Sequence, residues 1–292
     1  MADTPNLAAP STDLVADLPK TGQIPSKSVS TLSPMLNALA VVARNSPLGR
    51  GAARRRILSI LEKRHSGSIE TYFRGVPIRL HLDNTTERKA LLSAYDKTEL
   101  DFLARNLRGD AAIFVDIGAN SGLYTQYLAA KLQPGGHVLA IEPNPRMRAR
   151  IEANIGILRQ QGFAEDVTVD IAPFAAGDAD GAAFLQTNAG LGAAHLEQAN
   201  TPTALEVRVR RLTEILADYG IEHIHALKID VEGYEDRILM PFFASAPASQ
   251  RPRAIVMEYA HQDGWETDVI EECFRLGYRE CRRTKSNILL SL

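Results

Sequence analysis

The sequence predicts an α/β protein whose core is a doubly wound, mostly parallel sheet. From Ala111 onward, short apolar runs alternate with stretches of helical period, the pattern of parallel strands joined by crossover helices. Several of these runs are apolar on both faces, as strands covered by helices on both sides must be. A helix and hairpin extension precedes them. The chain closes on two strands joined by a short turn, which must be antiparallel.

Taken in order, residues 1–34 are rich in Pro, Ser, Thr, Ala and Asp without periodicity and read as a disordered tail. Residues 35–108 read as an N-terminal helical and hairpin cap. Residues 35–65 are helical with a break near Pro47, and Arg54, Arg55, Arg56, Lys63 and Arg64 make residues 50–64 basic. A solvated helix face is the plain reading of these charges; peripheral contact with an anionic lipid or polysaccharide surface is the sharper one. Residues 68–84 alternate and turn at Arg74-Gly75, a hairpin, and a polar helix follows over Thr86–Leu107.

Residues 109–292 form the main domain. Ala112–Ile117 is its first strand, followed by a helix with Tyr124, Leu128 and Leu132 on one face. The second strand is His137–Pro143. Asn144 can cap the next helix, with Pro145 at its first position and Ile151, Ile155 and Leu158 as its stripe. Val167–Ala175 is the third strand, and 182–187 and 204–212 are shorter strands around a Gly-Ala loop. Ile224–Gly233 and Arg253–Ala260 are the fourth and fifth main strands. Asp268–Gly277 is an amphipathic helix with Val269, Ile270, Cys273, Phe274 and Leu276 apolar, and residues 278–292 turn near Lys285-Ser286.

Composition narrows the function. Charged residues are 23%, apolar residues 45% and the net charge is −2 over 292 residues, so no global field recruits nucleic acid. Two cysteines, Cys273 and Cys281, lack Cys-x-x-Cys spacing and fit a reducing cytoplasm. The N-terminus lacks a basic region followed by an apolar run, so no secretory signal is expected. The early apolar stretch Met35–Ala43 is far below the ~20 residues of a membrane-spanning helix.

In an open parallel sheet, ligands bind beyond the carboxyl ends of the strands. Those ends carry Asp116 with Gly118-Ala119-Asn120-Ser121-Gly122, then Glu142, Asp178, Asp230 with Glu232, and Glu258. The loop lacks the middle glycine of a dinucleotide fingerprint, and the rim is acidic. A pyrophosphate does not suit it. The sulfonium, ammonium and ribose of S-adenosylmethionine do. Glu142, ending the second strand, can accept from both ribose hydroxyls.

Lys228, Asp230 and Glu232 fall on one face of the fourth strand by alternation. Three charges on one face of a central strand must pair, meet a cleft or bind something. Glu258 and His261 approach them if the fourth and fifth strands are neighbours, and His261 can serve as a general base. Asp230, Glu232 and Glu258 are also candidate ligands for Mg2+, a hard cation that takes oxygen donors.

Residues 114–129, 140–145, 172–178, 209–216, 226–239 and 255–259, with "DIGAN.G" and "KIDVEG.E" at their centres, resemble the FkbM-type S-adenosylmethionine-dependent methyltransferases in order and spacing. The resemblance runs from about Tyr95 to the C-terminus. It implies the seven-stranded, Rossmann-like class I methyltransferase fold and O-methylation of a sugar, glycan, glycolipid or polyketide-type acceptor. It implies that Asp116, Gly118, Asn120 and Gly122 hold the methionine moiety, that Glu142 holds the ribose, and that Ala176 and Asp178 flank the adenine, with Asn144 also in the cofactor-binding set. Lys228, Asp230 and Glu232 would face the acceptor, with His261 among the catalytic candidates. The rivals are a non-catalytic nucleoside-binding module, which would not need the charged cluster, and an NAD-dependent dehydrogenase, which would need the missing glycine.

Overall fold

The computed structural model describes residues 29–31, 42–43, 46, 51–64, 67–92, 95–186, 195–197 and 204–292. The cap comes first. Strand β1 (Val29–Thr31) pairs in parallel with β2 (Ser68–Phe73), so three residues of the expected tail belong to a sheet; the rest of that tail lies outside the described residues. Helix α1 (Gly51–Arg64) carries the basic run, with Arg55, Arg56 and Lys63 exposed. Strand β3 (Val76–His81) returns along β2, with Arg74 and Gly75 both at positive φ (52° and 84°), the type I′ geometry that matches strand twist.

The single polar helix expected over Thr86–Leu107 is two helices, α2 (Thr85–Leu92) and α3 (Lys97–Asn106). Asp96, just before α3, sits at φ 42°, outside the helical region, and its carboxylate accepts the Tyr124 hydroxyl at 2.8 Å.

The main sheet has seven strands. In chain order they are β4 (Ile113–Ile117), β5 (His137–Ile141), β6 (Thr168–Ala172), β11 (Ala226–Ile229), β12 (Ala254–Glu258), β13 (Arg279–Arg283) and β14 (Asn287–Ser291), arranged as β13-β14-β12-β11-β4-β5-β6. Strand β14 runs against both its neighbours; the other pairings are parallel. The remaining strands, β7 (Ala175–Gly177), β8 (Gly181–Gln186), β9 (His195–Glu197) and β10 (Ala204–Arg211), make a small second sheet. The third strand expected as one piece, Val167–Ala175, is therefore divided between two sheets. Pro173 lies at the division; it has no N–H for a ladder, and the chain leaves the main sheet there.

Period-2 alternation divides the core into two layers. Phe114, Val138, Ala140, Ala226 and Val256 face the cap, α4 (Leu123–Ala129) and α5 (Pro145–Gln160). Val115, Ile117, Leu139, Ile141, Leu227, Ile229 and Met257 face α6 (Leu212–Asp218), α7 (Glu235–Ser245) and α8 (Val269–Arg275). Asn144 caps α5 as expected, accepting from the Arg146 amide at 2.9 Å. In α8, Val269, Ile270 and Cys273 are buried, but Phe274 is 44% exposed, one step past the apolar stripe of a two-turn helix. Among the described residues no helix is long and apolar enough to cross a membrane.

The chain builds outward through β4, β5 and β6, then returns to lay β11 and β12 on the other side of β4. The loops after β4 and β11 thus part at a switch point, where open α/β sheets form their crevice.

Candidate active site

The glycine loop after β4 is shaped by backbone geometry. Gly118 and Gly122 take φ of 71° and 79°. A Cβ on Gly118 would lie 2.1 Å from the Asp230 carbonyl oxygen, so the loop rests directly on the end of β11. Every amide of the loop is already used. Those of Gly118 and Ala119 donate to the Ile141 carbonyl at 3.0 and 3.2 Å. That of Asn120 donates to Glu142 Oε2 at 2.7 Å, that of Ser121 to Asn120 Oδ1 at 2.8 Å, and that of Gly122 to the Ala119 carbonyl at 2.9 Å. Such a loop offers no free N–H to a phosphate, in contrast to the open helix N-termini that bind them.

Glu142, just past β5, is buried and accepts from Asn120 N and, at 2.8 Å, from Asn144 N. Burial pushes its carboxyl up to about 7, against the pull of those two amides and of Lys228 and Arg148. Asp116 lies under the loop and not on its surface. It is fully buried; Oδ2 accepts from Thr125 N (3.1 Å) and Oγ1 (2.7 Å), and Oδ1 lies 3.5 Å from Lys228 Nζ. Burial leaves its carboxyl above the ordinary range despite Lys228 and Thr125.

Lys228 joins the two loops. Its ammonium donates to the Gly118 carbonyl at 2.7 Å and lies 3.7 Å from Asp230. Burial alone would lower its pKa, but Asp230 and Asp116, followed by Asp96 and Glu142, outweigh burial and raise it. Strand β11 ends at Ile229, so alternation does not carry Glu232 onto the face shared by Lys228 and Asp230. Glu232 sits instead at φ 57° and reaches the fifth-strand end. There His261 Nδ1 lies 3.4 Å from both Glu232 Oε2 and Glu258 Oε2. Burial, then the charges of Asp230, Glu232 and Glu235, push the Glu258 carboxyl up to about 9. Donor atoms of Glu232, Glu258 and His261 lie within 4.8 Å of one another, close enough to share a cation, and Glu232 and Glu258 are two of the three residues expected for Mg2+, with Asp230 the third.

Ala176 is buried on β7, and Asp178 is exposed just past it, its carbonyl accepting from Arg211 Nε at 3.2 Å.

Three contributors were not singled out from the sequence. Glu235 is buried and accepts from Val231 N at 3.0 Å, from Gly233 N and from Trp265 Nε1 at 2.9 Å, which fixes the turn that carries Glu232. Asp96, raised to about 6 by burial, joins Tyr124 and faces the charge of Asp230. Asn84, from the cap, donates to Asn120 Oδ1 at 3.2 Å. An acid placed after a turn residue could have marked Glu235; nothing local marks the other two, because their partners are distant in the chain.

A family model for the methyltransferase FkbM domain matches residues 116–280. The AMB antimetabolite synthetase AmbE of Pseudomonas aeruginosa is 29% identical over 178 residues, which is 50% of this chain and 8% of that protein; the chain thus spans a small part of that relative's length. Among solved structures, a methyltransferase FkbM from Methylobacillus flagellatus KT aligns with 17% identity and a TM-score of 0.43, over 70% of this chain and 54% of that one. The O-methyltransferase TomG from Streptomyces achromogenes, involved in tomaymycin synthesis and solved in complex with SAM, aligns with 17% identity and a TM-score of 0.38, over 68% and 79%.

Proposed function

The chain belongs to the FkbM methyltransferase family and has the class I methyltransferase fold, and on that premise we propose that it is an S-adenosylmethionine-dependent O-methyltransferase acting on a sugar, glycan, glycolipid or polyketide-type hydroxyl. The observation that carries the cofactor reading is the pairing of a glycine loop whose amides are all engaged with a buried carboxylate, Glu142, held by two of the site's amides. The loop disfavours a pyrophosphate, and the carboxylate favours a vicinal diol. The donor set therefore fits a nucleoside without phosphates, and Ser121 Oγ in the same loop is buried with no protein partner. The dehydrogenase rival needs the phosphate contacts that this loop has used internally.

When bound, S-adenosylmethionine supplies a methyl group on a sulfonium, whose departure leaves a neutral thioether. The chain's own residues have the remaining tasks. Glu142, with Asn144 holding its second oxygen, accepts the ribose hydroxyls, and Gly118, Asn120 and Gly122 shape the loop. Ala176 and Asp178 flank the adenine. Asp116 works from beneath, fixing α4 and pairing with Lys228. Asp230 is the one carboxylate of the fourth-strand group that is both paired with Lys228 and about one-third open, 35% by side chain, and it would take the proton of an acceptor hydroxyl. His261, held between Glu232 and Glu258, is the second candidate base.

A divalent ion on Glu232, Glu258 and His261 is the one second reading that an observation favours, since two carboxylates meet there beside an imidazole. Asp230, the third residue of the sequence-derived Mg2+ set, flanks that group. Acceptor class and a cytoplasmic location rest on the resemblance and on cysteine usage.

A methyl-transfer assay with labelled cofactor against glycans, glycolipids and small polyols tests the proposal. Label should pass to a hydroxyl acceptor. Loss of transfer in EDTA with restoration by Mg2+ or Mn2+ would make Glu232 and Glu258 ligands, and indifference to both would leave direct base catalysis. Tight cofactor binding with no transfer to any acceptor would support the non-catalytic binding module instead.

A further inference from the structure

We infer that Asn84, in the N-terminal cap, is a positioning residue for the cofactor loop, so that the cap forms part of the binding apparatus; the inference rests on the cofactor reading above. Asn84 is 5% exposed, between β3 and α2. Its two ends have separate tasks. Oδ1 accepts from the amides of Thr86 (2.9 Å) and Glu87 (3.1 Å) and so caps α2. That fixes the amide group and aims Nδ2 at Asn120 Oδ1, 3.2 Å away, with Met147 Sδ at 3.9 Å.

Asn120 is the residue that most needs such a hold. It adopts φ 51°, a region costly for any side chain but tolerated best by Asn. Its amide carries one of the two bonds to Glu142, and its Oδ1 takes the Ser121 amide. A bond to that side chain fixes the peptide that aims Glu142, giving a chain from Asn84 through Asn120 to the carboxylate. The anchor is rigid. Glu87, 1% exposed, pairs at 2.6 Å with Arg150 of α5, 6% exposed, and Arg150 also reaches Asp83 at 2.8 Å. Asn154 of α5 bonds both the amide (2.8 Å) and the carbonyl (3.2 Å) of Arg79 on β3. A capping residue with no second task would need only its oxygen. Here the opposite end of the same amide points into the loop that the cofactor reading uses.

The two tasks separate experimentally. Asn84→Asp keeps an oxygen to cap α2 but replaces the donor by an acceptor that faces Asn120 Oδ1. The test is calorimetric titration of the chain with S-adenosylmethionine, alongside thermal melting. In the folded chain Asn84→Asp should weaken affinity about fivefold or more, the scale of one hydrogen bond, with a somewhat lower melting temperature as well, because an acceptor at a buried position then faces Asn120 Oδ1. Asn120→Gly, which suits the positive φ, should weaken affinity similarly, and Asn84→Asp should then add nothing in that background. Affinity unchanged in Asn84→Asp, or an undiminished further loss on top of Asn120→Gly, overturns the positioning role. A wild-type chain that binds no S-adenosylmethionine overturns the cofactor reading and this role with it, whereas wild-type binding with an indifferent Asn84→Asp overturns the role alone.

Discussion

Asp230→Asn lowers turnover by ~100-fold or more while S-adenosylmethionine affinity stays within a few-fold, the usual scale for removing a general base. The geometry makes this separation clean. Lys228 loses one of two carboxylate neighbours but keeps Asp116 at 3.5 Å and its bond to the Gly118 carbonyl, so the change leaves no buried charge stranded and melting should barely move. Glu232→Gln gives the same result if His261 takes the proton, since His261 loses one of the two carboxylates that orient it. A drop in melting temperature with turnover intact in both variants would make the cluster a strand-end brace and remove its catalytic assignment.

Among the described glycines, Gly118 is where an added methyl group meets the closest atom, so Gly118→Ala has a large expected effect. The new Cβ would meet the Asp230 carbonyl oxygen at 2.1 Å, and that atom is backbone at the end of a buried central strand, so it cannot swing away. Left-handed φ adds about 1–2 kcal/mol for a residue with a side chain. The loop must lift from β11, which breaks the bonds from Lys228 to the Gly118 carbonyl and from Asp230 N to the Ile117 carbonyl. A melting temperature lower by about 5 °C and cofactor affinity weaker by ~100-fold are expected. Gly220→Ala is the control: φ is 65° there too, but no atom lies within 4 Å of the added Cβ, so it should cost the backbone term and leave binding alone. Equal behaviour of the two variants would mean that the contact between loop and strand has no part in binding.

The parallel sheet was legible because its strands are apolar runs with turn residues between them, and register follows from alternation once β4 is placed. The hairpin turn at Arg74-Gly75 was legible from the alternation on either side of it. The helix break before α3 was not, because a polar helical pattern runs through it and Asp96 is held by Tyr124, a partner 28 residues away. The division of the third strand had a local sign, Pro173, whose effect depends on a second sheet being present to receive Ala175–Gly177. At the site, the loop and Glu142 could be read from spacing, and the approach of His261 to the carboxylates from strand adjacency. The placement of Glu232 could not: alternation puts it with Lys228 and Asp230, but β11 stops at Ile229 and the turn pinned by Glu235 sends it to His261. The saturation of the loop's amides is likewise a property of β4 and β5 together, since two of the acceptors, the Ile141 carbonyl and Glu142, lie at the end of the neighbouring strand.

The carboxylate of Glu142 should hold a nucleoside that carries no phosphate, which calorimetric titration of the wild-type chain and Glu142→Ala with S-adenosylmethionine and NAD at pH 8 and pH 6 can decide. Only the ionised carboxylate accepts through both oxygens, since protonation turns one of them into a donor. With its carboxyl at about 7, and Lys228 and Arg148 as the cations facing it, Glu142 is mostly charged at pH 8 and mostly neutral at pH 6. Wild-type affinity for S-adenosylmethionine should therefore fall about tenfold between them, because below the pKa the proton must leave first. Glu142→Ala should bind at least ~10-fold more weakly at pH 8, the loss of a charged hydrogen-bonding group, and show no such pH dependence, while NAD binds neither protein. Equal affinity of wild type and Glu142→Ala in a folded chain, or tighter binding of NAD than of S-adenosylmethionine, would remove Glu142 from a nucleoside site.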